Sequence, residues 1–313
     1  MIVVGGEALV DLVDDLGSRR AVAGGGPFNT AVALGRLEVP VAFSGVISRD
    51  SYGAILAQLL LDAGVDISLV RRSELPTPQA MVHRDADGRN SYAFSLAETA
   101  FTDVSPELPP LPDTAWAIHV GTLALAIEPA ASAYEALLDR EAGRVRIILD
   151  PNVRPAIFGD SDLYRHRFER LARIADVVKL SDDDAAWIYP TVPLADVPEL
   201  ILGFGPRLVA LTLGASGAVA RSRLAAVEVA AMPVTVVDTV GAGDSFGAAL
   251  VAALVEEHAL GAGADCTLED DVLRRAVTYA VAASAVTCTR TGAVPPSRGE
   301  IDEQLRRLAG VSS

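Results

Sequence analysis

The chain has 313 residues, half of them hydrophobic and 21% charged, enough apolar material to bury a substantial core and to exclude a disordered or fibrous protein. Its formal net charge of −15, with no long Lys/Arg run, repels phosphate backbones and anionic lipid and so argues against nucleic-acid and membrane-surface partners. Two cysteines, Cys266 and Cys288, lie in no ligand-spaced pattern, and four histidines show no HExxH spacing; a reducing cytoplasm is expected, without a disulfide framework or a zinc site.

The opening run MIVVGGEALVDLV carries no basic residue ahead of its apolar stretch and does not read as a signal peptide. Ile2–Val4 reads as a strand, and so do Val41–Val46, Ala117–Val120, Val145–Leu149, Val177–Lys179 and Leu208–Leu213. Between them Asn29–Leu37, Gly53–Ala63, Glu128–Arg140 and Leu163–Ile174 read as helices. This alternation predicts an α/β fold with a mostly parallel central sheet covered by helices on both faces, its ligand crevice beyond the carboxyl ends of the strands. Two segments break the pattern. Asp11–Val22 alternates around the turn DDLGS, and Pro78–Leu96 reads as a hairpin around DADGRN. Strands set aside from the main sheet suggest a small β-sheet lid, formed by about residues 12–22 and 77–100, within one domain spanning 1–313. A stiff PELPPLP connector, Pro106–Pro112, leads back from it. The apolar run Ala276–Val286 is too short and too interrupted to cross a bilayer.

Chemistry concentrates in two stretches. In VVDTVGAGDSF (Val236–Phe246) a strand is expected to end and an Ala-rich helix, Phe246–Glu256, to begin. The amides of Gly241, Ala242 and Gly243 then lie at a helix N-terminus, where unpaired N–H groups and the macrodipole attract an anion. Asp244 follows in the first turn, placed to take the proton of a hydroxyl attacking a phosphoryl group. Taken alone, GxGD also fits many ordinary helix starts. In AGGGPFNTA (Ala23–Ala31) a triple glycine opens the backbone to a polyhydroxylated ligand, and the Asn29 amide can donate to and accept from hydroxyls; a flexible turn with an Asn near a helix cap reads the same way.

Together, in this order, GGGPFNTA and DTVGAGDSFGAAL resemble the two signatures of the ribokinase/PfkB family of carbohydrate kinases. GEALVDL (Gly6–Leu12), DPNVRP (Asp150–Pro155), VKLSDDD (Val178–Asp184), LTLGASGA (Leu211–Ala218) and the ending ASAVTCTRTGAVPP (Ala283–Pro296) fall in the family's order, so the resemblance covers nearly the whole chain. It implies a ribokinase-like three-layer fold and transfer of the γ-phosphate of ATP, with Mg²⁺, to a small sugar. Asp244 resembles the family's base and Gly241–Gly243 its anion hole. Asp11, at the end of the first strand, resembles a sugar contact, as do Gly25, Gly26 and Asn29; Asn152 and Arg154 resemble residues lining the cleft near the phosphates. Lys179 and Ser181, just after a strand, resemble the start of the nucleotide site, Thr212, Gly214 and Gly217 its loop, and Ala283 through Gly292 its adenine-side wall. Asp184 stands where the family usually has a Glu that orders water around Mg²⁺. Asp238 and Thr239 match a monovalent-cation site, which implies K⁺ activation. Read singly, Asp11 is equally a solvated strand end, Arg154 a surface ion pair, and Asp182–Asp184 an acidic helix start.

Gly26, where ribokinases proper carry a lysine, then Pro27 and DPNVRP, lean toward fructokinases. The lid segment YAFSLAETA lacks the Arg or second Tyr of many fructokinase and ketodeoxygluconate kinase lids. Fructose is the first expectation for the acceptor and 2-keto-3-deoxygluconate the next, its carboxylate facing Arg84, Arg89 or Arg154; few aromatics argue against a nucleoside. A non-catalytic sugar or nucleotide sensor is the rival from another class, and GAGD with its aspartate speaks against it. A dinucleotide oxidoreductase is discounted because no GxGxxG follows the first strand. Pairing of two copies through the lid is the expected oligomer.

Overall fold

The strands of the large sheet are short apolar runs enclosed on both faces. In the computed structural model, which describes residues 1–15, 18–84, 90–263, 268–308 and 310, β1 (Ile2–Gly5) is buried throughout. It pairs in parallel with β4 (Val41–Ser44) on one side and β9 (Ala117–Gly121) on the other. β10 (Arg146–Asp150), β11 (Val177–Ser181) and β12 (Leu208–Thr212) extend the parallel ladder. β13 (Ala218–Ser222) and β14 (Ala226–Val229) close that edge antiparallel, giving the order β14-β13-β12-β11-β10-β9-β1-β4. A sheet of this kind needs both faces covered. α1 (Gly26–Arg36), α2 (Ser51–Asp62), α8 (Ala242–Glu256), α9 (Asp270–Cys288) and α10 (Arg298–Leu308) bury their apolar side chains against one face. α3 (Ala130–Glu141), α4 (Pro155–Phe158), α5 (Ser161–Ala172), α6 (Asp182–Ile188) and α7 (Val197–Leu202) cover the other. The expected three layers are present. Among the described residues no helix is long and apolar enough to cross a membrane.

A second sheet stands apart, in the order β3-β2-β7-β8, made of β2 (Leu9–Asp15), β3 (Ser18–Gly24), β7 (Gln79–Arg84) and β8 (Asn90–Ser95). It overlaps the segments expected to form a lid but starts earlier, at Leu9, because the β2–β3 ladder pairs Leu9 with Gly24, and it ends earlier, at Ser95. Asp11 is therefore inside the first strand of the small sheet, paired with Val22 and Ala80, and not at the end of the first strand of the chain. The turns expected at DDLGS and DADGRN fall partly on residues 16–17 and 85–89, outside the described residues, as do Arg89 and Cys266.

Other boundaries moved for identifiable reasons. The expected strand Val41–Val46 divides at Gly45, where the chain leaves β1 and β5 (Val46–Ser48) pairs with β6 (Arg71–Ser73). The strand expected before Gly241 does not form: after β14 ends at Val229 the chain runs without ladder pairing to α8, held at Val237 by a bond from its amide to the Cys288 carbonyl. That helix begins at Ala242, four residues before the expected Phe246.

The base of the small sheet is fastened to the helical layer by Asp50. Its Oδ1 accepts from the Gly53 amide, capping α2, and from Thr77 Oγ1, and its Oδ2 accepts from the Thr77 amide two residues before β7. These bonds draw its carboxyl below the usual range although burial opposes them. Asp50→Ala removes a cap and two tertiary bonds; the expected loss is about 2 kcal/mol or more, measured as a fall in the urea midpoint with an unchanged slope.

Candidate active site

The carboxyl ends of β1, β9 and β10, the start of α1, the small sheet and the start of α8 converge on a cavity of about 210 Å³. Its lining includes Asp11, Gly25, Gly26, Asn29, Asn152, Arg154, Gly241, Gly243 and Asp244, so residues more than 200 positions apart in the chain meet in one place. At that size it lies below the roughly 300 Å³ at which pockets for drug-sized ligands begin, which suits a monosaccharide.

Asp244 occupies the first turn of α8 and is 7% exposed. Asn29, from the first turn of α1, donates through Nδ2 to its Oδ2 at 2.8 Å. Burial raises the Asp244 carboxyl above the ordinary range, and the Asn29 bond, then the charges of Lys179 and Arg154, pull it back. Its ionised form is thus supported by one hydrogen bond and two cations against the opposing effect of burial. Gly241 caps the helix in the left-handed region, φ 75°, where an added Cβ would lie 2.5 Å from that of Ala293. Glycine alone makes that turn, and within it the Ala242 amide donates to the Thr239 carbonyl at 3.2 Å.

Two non-glycine residues of the same cavity are also held at positive φ. Thr122 has φ 51° and Asn152 φ 38°, conformations that persist where surrounding contacts over-determine them. Asn152 Nδ2 donates to Thr122 Oγ1 at 3.2 Å and, at 3.4 Å, to Asp244 Oδ1. Arg154 Nη1 donates to the Asn152 Oδ1 at 2.7 Å and to the Asn152 and Val153 carbonyls, which fixes the amide flip. An added Cβ on Gly26 would stand 2.4 Å from Thr122 Oγ1 and 2.8 Å from Asn152 Nδ2, so close packing of α1 onto this cluster requires the glycine.

A family model for the pfkB family carbohydrate kinases matches residues 2–298. The chain belongs to that family. It is 39% identical to a fructokinase of Rhizobium leguminosarum bv. trifolii, over 88% of this chain and 86% of that one. Among solved structures it is similar to a double mutant of Vibrio cholerae O395 fructokinase bound to fructose, ADP and a potassium ion, with TM-score 0.85, 26% identity and 97% of each chain covered. It is also similar to the aminoimidazole riboside kinase of Salmonella enterica complexed with its riboside and an ATP analog, with TM-score 0.83, 27% identity, and 97% and 99% of the chains covered.

In this pfkB kinase the nucleotide-side expectations fall out unevenly. Ser181 and Asp184 form the capping box of α6: Ser181 Oγ accepts from the Asp184 amide and Asp184 Oδ2 from the Ser181 amide, while Asp184 Oδ1 accepts from Val153 N at 2.6 Å. Asp184 is thus a buried joint between the Asn152 loop and α6. Thr212 ends β12, and Gly214 and Gly217 bracket the single turn that follows. Asp238 accepts from the amides of Val240 and Gly292, so Asp238–Thr239 and the Cys288–Gly292 turn lie side by side. Two expectations need correction. Lys179 is within β11, not after it, 4% exposed and paired with Asp150 at 3.0 Å, because the strand runs two residues further. Ala283 is sealed in the α8–α9 seam, 1% exposed, with its carbonyl accepting from Thr287 Oγ1; it is core, not an open wall.

Sequence reasoning passed over Thr122, Asp150 and Glu7. Glu7 stood within the quoted GEALVDL, but its neighbours are remote in the chain. It is 2% exposed, and neither carboxyl oxygen has a hydrogen bond of normal geometry. Burial pushes it up to about 8, and its own amide, the Arg154 charge and the Leu123 amide offset only part of that. Asp11 is raised to about 6, again chiefly by burial.

Two measurements follow from this geometry. Gly26→Ala should fold yet lose most turnover, since its Cβ displaces the Thr122–Asn152 pair; a variant with wild-type kcat would contradict the packing. Glu7 is raised from 4.5 to about 8, so its contribution to stability is complete below pH 4.5 and disappears as pH rises through about 8. Glu7→Gln should therefore match wild type in melting temperature near pH 4.5 and exceed it at pH 8.5.

Proposed function

We propose that this pfkB kinase phosphorylates fructose, its primary hydroxyl losing a proton to Asp244 as it attacks the γ-phosphoryl group of ATP. The observation that carries the reading is the position of the Asp244 carboxylate, in the first turn of α8 and at the wall of a sugar-sized cavity. The fructokinase relative at 39% identity and the fructose-bound neighbour support the choice of acceptor. Asp11, Asn29 and the Gly25–Gly26 backbone offer acceptors and donors to sugar hydroxyls. Arg154 is the cation of that wall, set among Glu7, Asp11 and Asp244, each of which feels its charge.

The amides of Gly241–Gly243 absorb charge on the transferred group, and most of the rate comes from positioning and electrostatics. Among the described residues no group of three or more His, Cys, Asp or Glu is placed to hold a metal. Mg²⁺ would be held by nucleotide phosphates and water, with Asp184 the residue that would order that water. Bound Mg²⁺ supplies neutralisation of phosphate charge. Asp238 and Thr239, beside the Cys288–Gly292 turn, would take K⁺. The nucleotide lies along Thr212, Gly214 and Gly217.

A nucleoside acceptor is the second reading, favoured by the riboside kinase neighbour. ADP release with ATP and Mg²⁺ against fructose, ketodeoxygluconate, ribose and aminoimidazole riboside separates the two. Fructose should turn over selectively, and Asp244→Asn should reduce kcat by about 10²–10⁴-fold. Turnover on the riboside and not on fructose would reassign the acceptor.

A further inference from the structure

Beneath the first turns of α8 runs a row of buried ionisable groups that proton transfer by Asp244 does not itself use. Lys179 on β11 and Asp150 on β10 are 4% and 3% exposed, and Lys179 Nζ donates to Asp150 Oδ2 at 3.0 Å and Oδ1 at 3.3 Å. α8 sits down on this pair through two glycines one turn apart. An added Cβ on Gly243 would lie 3.0 Å from Lys179 Nζ, and one on Gly247 would lie 3.9 Å from Asp150 Oδ2. The ammonium is therefore directly under Gly243, whose neighbour in the chain is Asp244.

That placement is electrostatically poor by itself. A helix N-terminus carries positive partial charge and disfavours a cation. Three carboxylates compensate, since Asp150, Asp184 and Asp244 each hold the proton on Lys179 more firmly against the opposing effect of burial. The remaining titratable groups around the pair are His119 on β9 and Tyr164 on α5. His119 is 3% exposed, driven down to about 4 by burial and then by Lys179, so it is neutral. Tyr164 is held protonated by burial and by Asp184 and Asp150. On the far side of Asp244 stand Asn29, Arg154 and Glu7.

We propose that Lys179 is a positioning residue for phosphoryl transfer: held under α8 by Asp150, its ammonium keeps the Asp244 carboxylate in the base form and offsets anionic charge arriving at the Gly241–Gly243 amides. It acts through the helix turn, because the pair is enclosed and Gly243 lies between it and the cavity. The inference rests on the reading of Asp244 as the base.

The test is the pH profile of kcat/KM for fructose with ATP and Mg²⁺. Lys179→Met/Asp150→Leu replaces the pair by apolar groups of similar shape, a change that buried ion pairs commonly tolerate. Its acid limb should move up by about one pH unit, with kcat at pH 7 lower by about tenfold, the KM for fructose unchanged, and part of the rate recovered at higher pH. Asp150→Asn keeps the ammonium and removes its counter-charge, so its limb should move down. A purely structural pair would lower activity without moving either limb. A double variant whose limb coincides with wild type overturns the proposal, and so does an unmoved limb in Asp150→Asn, which decides the matter if the double variant does not fold. Failure of the underlying reading shows separately, as wild-type turnover by Asp244→Asn.

Discussion

In the reading proposed for Asp244, a base that must be negative meets a phosphoryl group that arrives negative, in a chain that is itself strongly acidic. Burial deepens the conflict, because taking charge out of water raises the cost of ionising Asp244 while strengthening its repulsion of the incoming anion. The architecture around α8 answers both halves. The helix N-terminus supplies fixed positive partial charge at the point of transfer. The Asn29 amide, Lys179 and Arg154 then oppose the rise that burial imposes on the Asp244 carboxyl. None of these devices raises the overall positive charge of the surface, so selectivity for one bound nucleotide is compatible with a net charge of −15.

Rigidity in the cavity wall comes from strain that neighbours hold in place. Thr122 and Asn152 follow the carboxyl ends of adjacent strands, β9 and β10, in left-handed backbone, and each fixes the other through one hydrogen bond. Asp184 anchors the same loop from behind through the Val153 amide. The resulting frame leaves no room for a side chain at residue 26. The small sheet, by contrast, is joined to the helical layer by concentrated polar contacts such as those of Asp50, which suits a cover over a site that must admit and release a sugar.

Much of this was legible before any coordinates. Periodicity placed the six parallel strands of the main sheet and their principal helices to within a few residues, because fully enclosed strands and amphipathic helices differ in the spacing of their apolar residues. The two glycine-rich stretches, singled out as candidate anion site and sugar loop, meet at one cavity. Edges were less readable. β13 and β14 are short and interrupted by Arg221, Ser222 and Glu228, and the run from Ala230 to Gly241 looks like a strand yet is held by bonds to the Cys288 turn. Lys179 resembled the start of the family's nucleotide site because of its place in the family's order; here a carboxylate on the next strand captures it.

By itself, then, the sequence determined the layer architecture and the family, both of which depend on local pattern and spacing, and it singled out Asp244 as the candidate base. The tertiary structure decided which ionisable groups share an enclosed space. Glu7, Asp11, Asp150, Lys179 and Asp244 come from five different strands, loops and helices, and their protonation depends on desolvation and on charges distant in the chain. No one-dimensional pattern encodes those distances, because they arise only when β10, β11 and α8 pack with two glycines at the contact.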